Sequence, residues 1–203
     1  MSEQRKSMNT MSKITFNKLF YYLSLIFLIT LVCSSCYSRE EREIRQQIGK
    51  RINLNGPFIY VDSSYQSKST IDNSKIRILT TLDYNECYDC SFKSLINLQL
   101  LIQEEKNIYD DVNVWAITNN LNIEKAKEEL RKWDLKTIII VDSTDFYIGK
   151  NKLGELLHRN RTFIIDKNNR IVFVGNPVIR SQLKPYFLKV LNSLHANGGT
   201  LQK

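Results

Sequence analysis

Two cysteines three residues apart, Cys87 and Cys90, are the side chains of this chain best suited to chemistry. A thiolate attacks disulfides, and a second sulfur one helical turn on can attack the mixed disulfide that results. Spacing alone is weak evidence, so the surroundings matter. The pair follows an apolar run, Ile76 to Leu82, and the loop Asp83-Tyr84-Asn85-Glu86. It opens a stretch in which Phe92, Leu95, Leu98 and Ile102 recur at helical spacing without Gly or Pro. Unpaired N–H groups and the dipole at a helix N-terminus stabilise a thiolate on the leading cysteine. Cys87 is therefore expected as the nucleophile and Cys90 as the resolving thiol. Glu86 and Asp89 flank Cys87 and should raise its pKa against the dipole, tuning the pair toward reductant or isomerase behaviour.

The elements that must hold this pair alternate along the chain. Residues 76–82 read as a strand, followed by the amphipathic helix; Val112 to Thr118 reads as a second strand. Asn122 is placed to cap a helix running through Ala126, Leu130 and Trp133 with basic residues in its last turn. Thr137 to Val141 is a continuous apolar run suited to a strand buried on both faces. Strand, helix, strand, helix, strand argues for parallel strands with crossover helices. The pattern then changes: Thr162 to Ile165 and Arg170 to Val174 flank the turn Asp166-Lys167-Asn168-Asn169 as a hairpin, and Leu183, Phe187, Val190 and Leu194 mark a last helix. The expected fold class is α/β, a mixed central sheet with a parallel βαβ half, an antiparallel ββα half and helices on both faces. Trp115 and Trp133 are expected in core or boundary packing.

At the N-terminus, Lys13 and Lys18 precede 14 uncharged residues, Leu19 to Val32. As a helix this run would span about 21 Å, short of the roughly 30 Å hydrocarbon core, which favours a secretory segment. Cys33-Ser34-Ser35-Cys36 and polar residues follow, a pattern that resembles a bacterial lipoprotein signal with Cys36 as the lipidated residue; Cys33 stands where such signals usually have Leu. An uncleaved short anchor and a buried core helix are the alternatives. The division expected is a signal over residues 1–36, a charged spacer and loop over 37–74 with room for a first short strand, the main domain over 75–195 and a flexible tail over 196–203. In the spacer, Glu41 and Arg45, like Ile44 and Ile48, lie four apart, as in a short solvated helix. The chain has 203 residues and a formal charge of +8, with 25% charged residues, 7 Gly and 3 Pro, which excludes multi-span membrane and collagen-like classes. The basic residues are scattered, which argues against a nucleic-acid partner.

The strand-CxxC-helix junction, the element order and the segment Thr162-Phe163-Ile164-Ile165-Asp166-Lys167-Asn168-Asn169-Arg170-Ile171-Val172 together resemble a thioredoxin-like (redoxin) domain, in particular the exported, membrane-anchored redoxins of Gram-negative bacteria. The resemblance spans about residues 75 to 195. It implies a thiol-disulfide oxidoreductase of the cell envelope, facing the periplasm, working on exported cysteine-containing proteins with a membrane electron donor and needing no cofactor. One departure is plain: where the family places a cis-proline before the hairpin, this chain has Asn160 and Arg161, and no proline lies between Pro57 and Pro177. A cis bond at a non-proline residue costs about 2.5 to 4 kcal/mol, so a trans loop is expected, with Asn160, Arg161 and Thr162 forming the substrate-binding edge.

Two other readings use the same sulfurs. A structural disulfide between Cys87 and Cys90 would make the domain a non-catalytic binding module. Cys87, Cys90 and His158 would suit copper, an arrangement similar to thioredoxin-fold copper chaperones. Zinc would need four ligands, and Cys33 and Cys36 belong to the export signal. Peroxide reduction is possible on this fold, but no residue singles out a peroxidatic cysteine. His195, beside Gly198 and Gly199, is expected at the surface.

Overall fold

The computed structural model describes residues 39–61, 75–82, 88–105, 107–119, 123–153 and 161–201. The chain divides into two compact units, Met1–Arg42 and Glu43–Lys203. Of the first, only residues 39–42 are described, within helix α1 (Arg39–Gln47), which carries Glu40 and Glu41 in its first turn and Arg45 in its last, as the helix dipole favours.

The second unit is built on a six-stranded sheet in the order β1-β4-β3-β2-β5-β6. The strands are β1 (Ile59–Val61), β2 (Ile76–Thr81), β3 (Val112–Thr118), β4 (Ile138–Val141), β5 (Thr162–Ile165) and β6 (Ile171–Val174). Strands β2, β3 and β4 run parallel, while β5 pairs antiparallel with β2, β6 with β5, and β1 with β4. The crossovers are α2 (Tyr88–Gln103) and α3 (Ile123–Lys132); α4 (Phe146–Lys150) precedes β5, and α5 (Lys184–Ala196) follows β6. The mixed sheet read from the sequence is thus present, with its parallel and antiparallel halves meeting at β2.

Strand periodicity divides the core. On β3, Val112, Val114 and Ala116 face the cluster that contains Phe92, Leu95, Leu98 and Ile102 of α2, Ala126 and Leu130 of α3, and Phe187, Leu191 and Leu194 of α5. Trp115 and Ile117 face the opposite cluster, with Ile52, Leu54, Tyr147, Leu153 and Phe163. This alternation follows from successive side chains pointing to opposite faces of a strand.

Three expectations need correction. The spacer assigned to residues 37–74 includes residues that belong to the domain. Ile52 and Leu54 are buried, Gly49 and Ile52 donate backbone hydrogen bonds to Ile171 and Asn169 at 2.8 Å each, and Arg51 bridges Arg170. Burying two aliphatic side chains and covering the start of the β6 edge outweighs the polar character of the flanking sequence. The stretch 62–74, read as a loop, lies outside the described residues.

The expected flexible tail, 196–203, is fixed as far as residue 200. Gly198 and Gly199 take positive φ, the Gly199 N–H donates to Leu194 at 2.7 Å, and its carbonyl accepts from Lys167 at 3.0 Å. A Cβ at Gly199 would meet the Lys75 carbonyl oxygen at 2.7 Å, so glycine permits this close approach. Trp115 is fully buried as expected, but Trp133 is 48% exposed, with its Nε1 donating to Glu129 at 3.1 Å. Helix α3 stops at Lys132, Asp134 turns left-handed at φ 47, and Leu135 donates back to Leu130 and takes the core position.

Candidate functional site

Strand β2 delivers the chain to the cysteine segment at the same end of the sheet where β3 and β4 finish. Its last residues are tightly held. Thr80 and Thr162 share a hydroxyl hydrogen bond of 2.8 Å, Thr81 donates from its backbone to the Arg161 carbonyl at 3.2 Å, and Leu82 donates to Ile117 at 2.8 Å. Cys90 lies in the first turn of α2 and is exposed, whereas Phe92, two residues on, is 2% exposed in the core. The Cys90 side chain is thus turned to solvent, and the next apolar residue anchors the turn.

Glu86 and Cys87, Asn160 and His158, and the side chain of Asp89 lie outside the described residues, as do the helix cap Asn122 and the lipidation candidate Cys36. Arg161 is half-buried at the end of the sheet beside β2. Thr162, expected at the substrate edge, is 2% exposed, and its hydroxyl is engaged with Thr80. Its side chain thus works in registering β5 on β2, which removes it from the set that could touch a substrate.

The structure adds groups that the sequence did not single out. Asn176, 5% exposed in the loop after β6, donates from Nδ2 to the Ser94 hydroxyl at 3.3 Å and accepts from the Val178 N–H at 2.9 Å, tying that loop to α2 one turn beyond Cys90. Asp142, 2% exposed after β4, accepts from the Thr144 hydroxyl and N–H through Oδ1 and from the Tyr147 N–H, at 2.6 Å, through Oδ2. This carboxylate builds the turn into α4. Within that turn Asp145 takes a left-handed φ of 54 and accepts from Asn119 at 3.1 Å. An Asp followed by Ser-Thr-Asp is a sequence signal for such a turn, although its link to the end of β3 is a tertiary matter.

Between these groups lies a cavity of about 410 Å³ at the ends of β2, β3 and β4. Arg161 and Thr81 line one side, Asn119, Asp142 and Asp145 the other, with Leu82, Ile117 and Ile148 between them. Beside Ile148 in sequence, Tyr147 is fully buried and its hydroxyl has no hydrogen-bond partner among the described residues; burial pushes this phenol well above its usual pKa of 10.0. Among the described residues no cluster of three or more His, Cys, Asp or Glu is placed to hold a metal ion, and no helix is long and apolar enough to cross a membrane. His195 is exposed, as expected, and its Nδ1 lies 2.6 Å from Asp111 Oδ2.

No protein-family model and no curated protein matches the sequence. Solved structures do match. A cysteine-to-serine mutant of PrxQ from Xylella fastidiosa aligns over 74% of this chain and 96% of its own, with 20% identity and a TM-score of 0.50. The mitochondrial 2-Cys peroxiredoxin of Plasmodium falciparum aligns over 76% and 99%, with 16% identity and a TM-score of 0.50. A thiol:disulfide interchange protein from a Bacteroides species aligns over 71% and 90%, with 13% identity and a TM-score of 0.49. On the first two matches and on the strand order above, this chain has a thioredoxin-like α/β fold.

Proposed function

We propose that the protein is an exported thiol-disulfide oxidoreductase, held to a membrane by its N-terminal segment, that exchanges disulfides through Cys87 and Cys90 as a reductant or isomerase. The observation that carries this reading is the exposed Cys90 in the first turn of α2, directly beyond a strand whose end is fixed by β5. The Cys87 thiolate attacks a substrate disulfide; that S–S bond breaks and the leaving sulfur takes a proton. The Cys90 thiolate then attacks the mixed disulfide, releasing the second substrate thiol and leaving a Cys87–Cys90 bond, so that two electrons have passed to the substrate. A dithiol donor on the membrane side resets the pair. Cys36 carries the lipid anchor on this reading, supported by the short apolar run and the small residues before it.

Trapping tests the reaction. Cys90→Ser should accumulate mixed disulfides through Cys87 in cells, and the double Cys87→Ser, Cys90→Ser variant should accumulate none; capture of no partner by the single variant would leave a structural disulfide as the better account. Hydrogen peroxide separates this reading from peroxide reduction on the same fold. The reduced pair should oxidise no faster with peroxide than an ordinary free thiol does. Cys36→Ser should move the protein out of the membrane fraction; unchanged partitioning would favour an uncleaved anchor.

A further inference from the structure

Asparagine is followed by glycine twice in this chain, at Asn55-Gly56 and at Asn197-Gly198. Such a pair can cyclise: the glycine main-chain nitrogen attacks the asparagine side-chain carbonyl, and with no Cβ on the second residue little shields the approach. The structure puts the two pairs in opposite settings. At the C-terminus of α5 the pair is held shut. Asn197 donates from Nδ2 to the Ser193 carbonyl at 2.8 Å and from its backbone to Ser193 and Leu194 at 3.2 Å each, and the Gly198 nitrogen, the atom that would attack, donates to the His195 carbonyl at 3.2 Å.

Asn55 and Gly56 lie in the irregular stretch between the segment that covers the β6 edge and strand β1. Asn55 is exposed, and neither its side-chain amide nor the Gly56 N–H makes a hydrogen bond among the described residues. The stretch is pinned on either side of them. Leu54 is buried, and Asn53 exchanges hydrogen bonds of 2.7 and 3.0 Å with the Asn151 side chain. Beyond Gly56, the Phe58 N–H donates to the Gly56 carbonyl at 2.9 Å and the Phe58 ring packs edge-on against Phe146 of α4. Glycine fits here because a Cβ at position 56 would stand 2.5 Å from the Phe58 ring and 2.7 Å from the Phe146 ring. The packing that favours glycine therefore leaves Asn55 open to attack.

We propose that Asn55 is a site of spontaneous covalent modification, converting through a succinimide to aspartate and isoaspartate, while the hydrogen bonds around Asn197 preserve it as asparagine. In the first step a bond forms between the Gly56 nitrogen and Asn55 Cγ, the Cγ–Nδ2 bond breaks, and ammonia leaves with the proton that the Gly56 nitrogen gives up. Water then opens the ring. Addition at Cγ restores the main chain with an aspartate side chain; addition at the α-carbonyl carbon routes the main chain through Cβ and Cγ as isoaspartate. No electrons are exchanged, and water is the one co-reactant. Isoaspartate adds a methylene to the main chain between the buried Leu54 and the Phe58–Phe146 contact. The two anchors cannot both keep their present spacing, so this product loosens the segment from α4. The inference is independent of the thiol-disulfide reading.

The test is to incubate the reduced full chain at mildly alkaline pH in heavy-oxygen water and follow its peptides by mass spectrometry. The Asn55 peptide should take up heavy oxygen and separate by chromatography into aspartyl and isoaspartyl forms. It should do so at least about tenfold faster than the Asn197 peptide, whose hydrogen bonds must open first. In urea the two sites should convert at similar rates. Equal rates in the folded chain, the same ratio in urea as in the folded chain, or conversion of Asn55 without isoaspartate would each overturn the proposal; the second would mean that sequence, and not structure, sets the rates. Asn55→Gln supplies the control, because the longer side chain closes its ring far more slowly and the exposed position makes no side-chain hydrogen bond for the substitution to break. This variant should hold its melting temperature through the incubation, whereas that of the wild type should fall as isoaspartate accumulates. An equal fall in both would refute the loosening of the segment.

Discussion

Asp142 and Asp166 are both buried, and each immediately follows a strand, but they sit at opposite ends of the sheet because β4 and β5 run in opposite directions. At the Asp166 end the carboxylate accepts from the Asn168 and Arg170 N–H groups at 2.8 Å each, its carbonyl accepts from Asn169, and Lys167 is tied to Gly199. That end is shut. At the Asp142 end the same turn chemistry holds up α4 and Asp145, and the space beside them is a cavity. Identical local chemistry closes a hairpin in one place and supports the wall of a pocket in the other. The difference lies in what faces each turn.

Substitutions can break or sharpen this contrast. The largest stability loss should come from the core that both ends share: Phe163→Ala, at a fully buried site on β5, should cost about 3–5 kcal/mol in urea unfolding. Next, Asp166→Ala strands two N–H groups and should cost about 3 kcal/mol in urea unfolding. Asp142→Ala strands the Thr144 and Tyr147 N–H groups and should cost a similar amount in the same measurement. A loss below about 1 kcal/mol at either aspartate would break the likeness between the two turns.

Smaller effects follow in the buried cluster around Tyr147 and at the surface. Tyr147→Phe removes a hydroxyl without a partner among the described residues, so stability at pH 7 should stay level or rise by up to about 1 kcal/mol. Because burial raises the Tyr147 pKa above its unfolded value of 10.0, the unfolded chain loses its proton first as pH increases. Wild-type stability should therefore be intact below pH 10 and fall above it, with this one group contributing up to about 1.4 kcal/mol per pH unit. Denaturation midpoints measured across that window should show a shallower fall in the Phe variant. Trp133→Ala should change stability least, by about 0.5 kcal/mol, since the ring is half-exposed and held by one hydrogen bond to Glu129.

The strands of the parallel half were readable because apolar β-branched runs bounded by polar loops carry a period that tertiary context seldom overrides; 112–118 is found as read, and 76–82 ends one residue earlier. Helix α4 was not readable. Five residues hold too little periodicity, and its start is fixed by the Asp142 carboxylate, which accepts from the Tyr147 N–H five residues on. Ile52 and Leu54 looked like part of a polar spacer because their burial depends on β6 and Tyr147, far along the chain. At the site, the position of Cys90 in the first turn of a helix followed from local pattern, whereas the pairing of Arg161 with Thr81 and the burial of Thr162 followed from strand order.

What the amino-acid order determined alone is therefore local: the periods that make strands and helices, the turn residues between them, and two sulfurs one helical turn apart. Only the packed chain decided which strand ends share an edge of the sheet, and hence that Arg161, Asn119 and Asp145 surround one cavity while Thr162 is sealed away. Periodicity is written within a few residues, but adjacency depends on burial and hydrogen bonding between segments far apart in the chain.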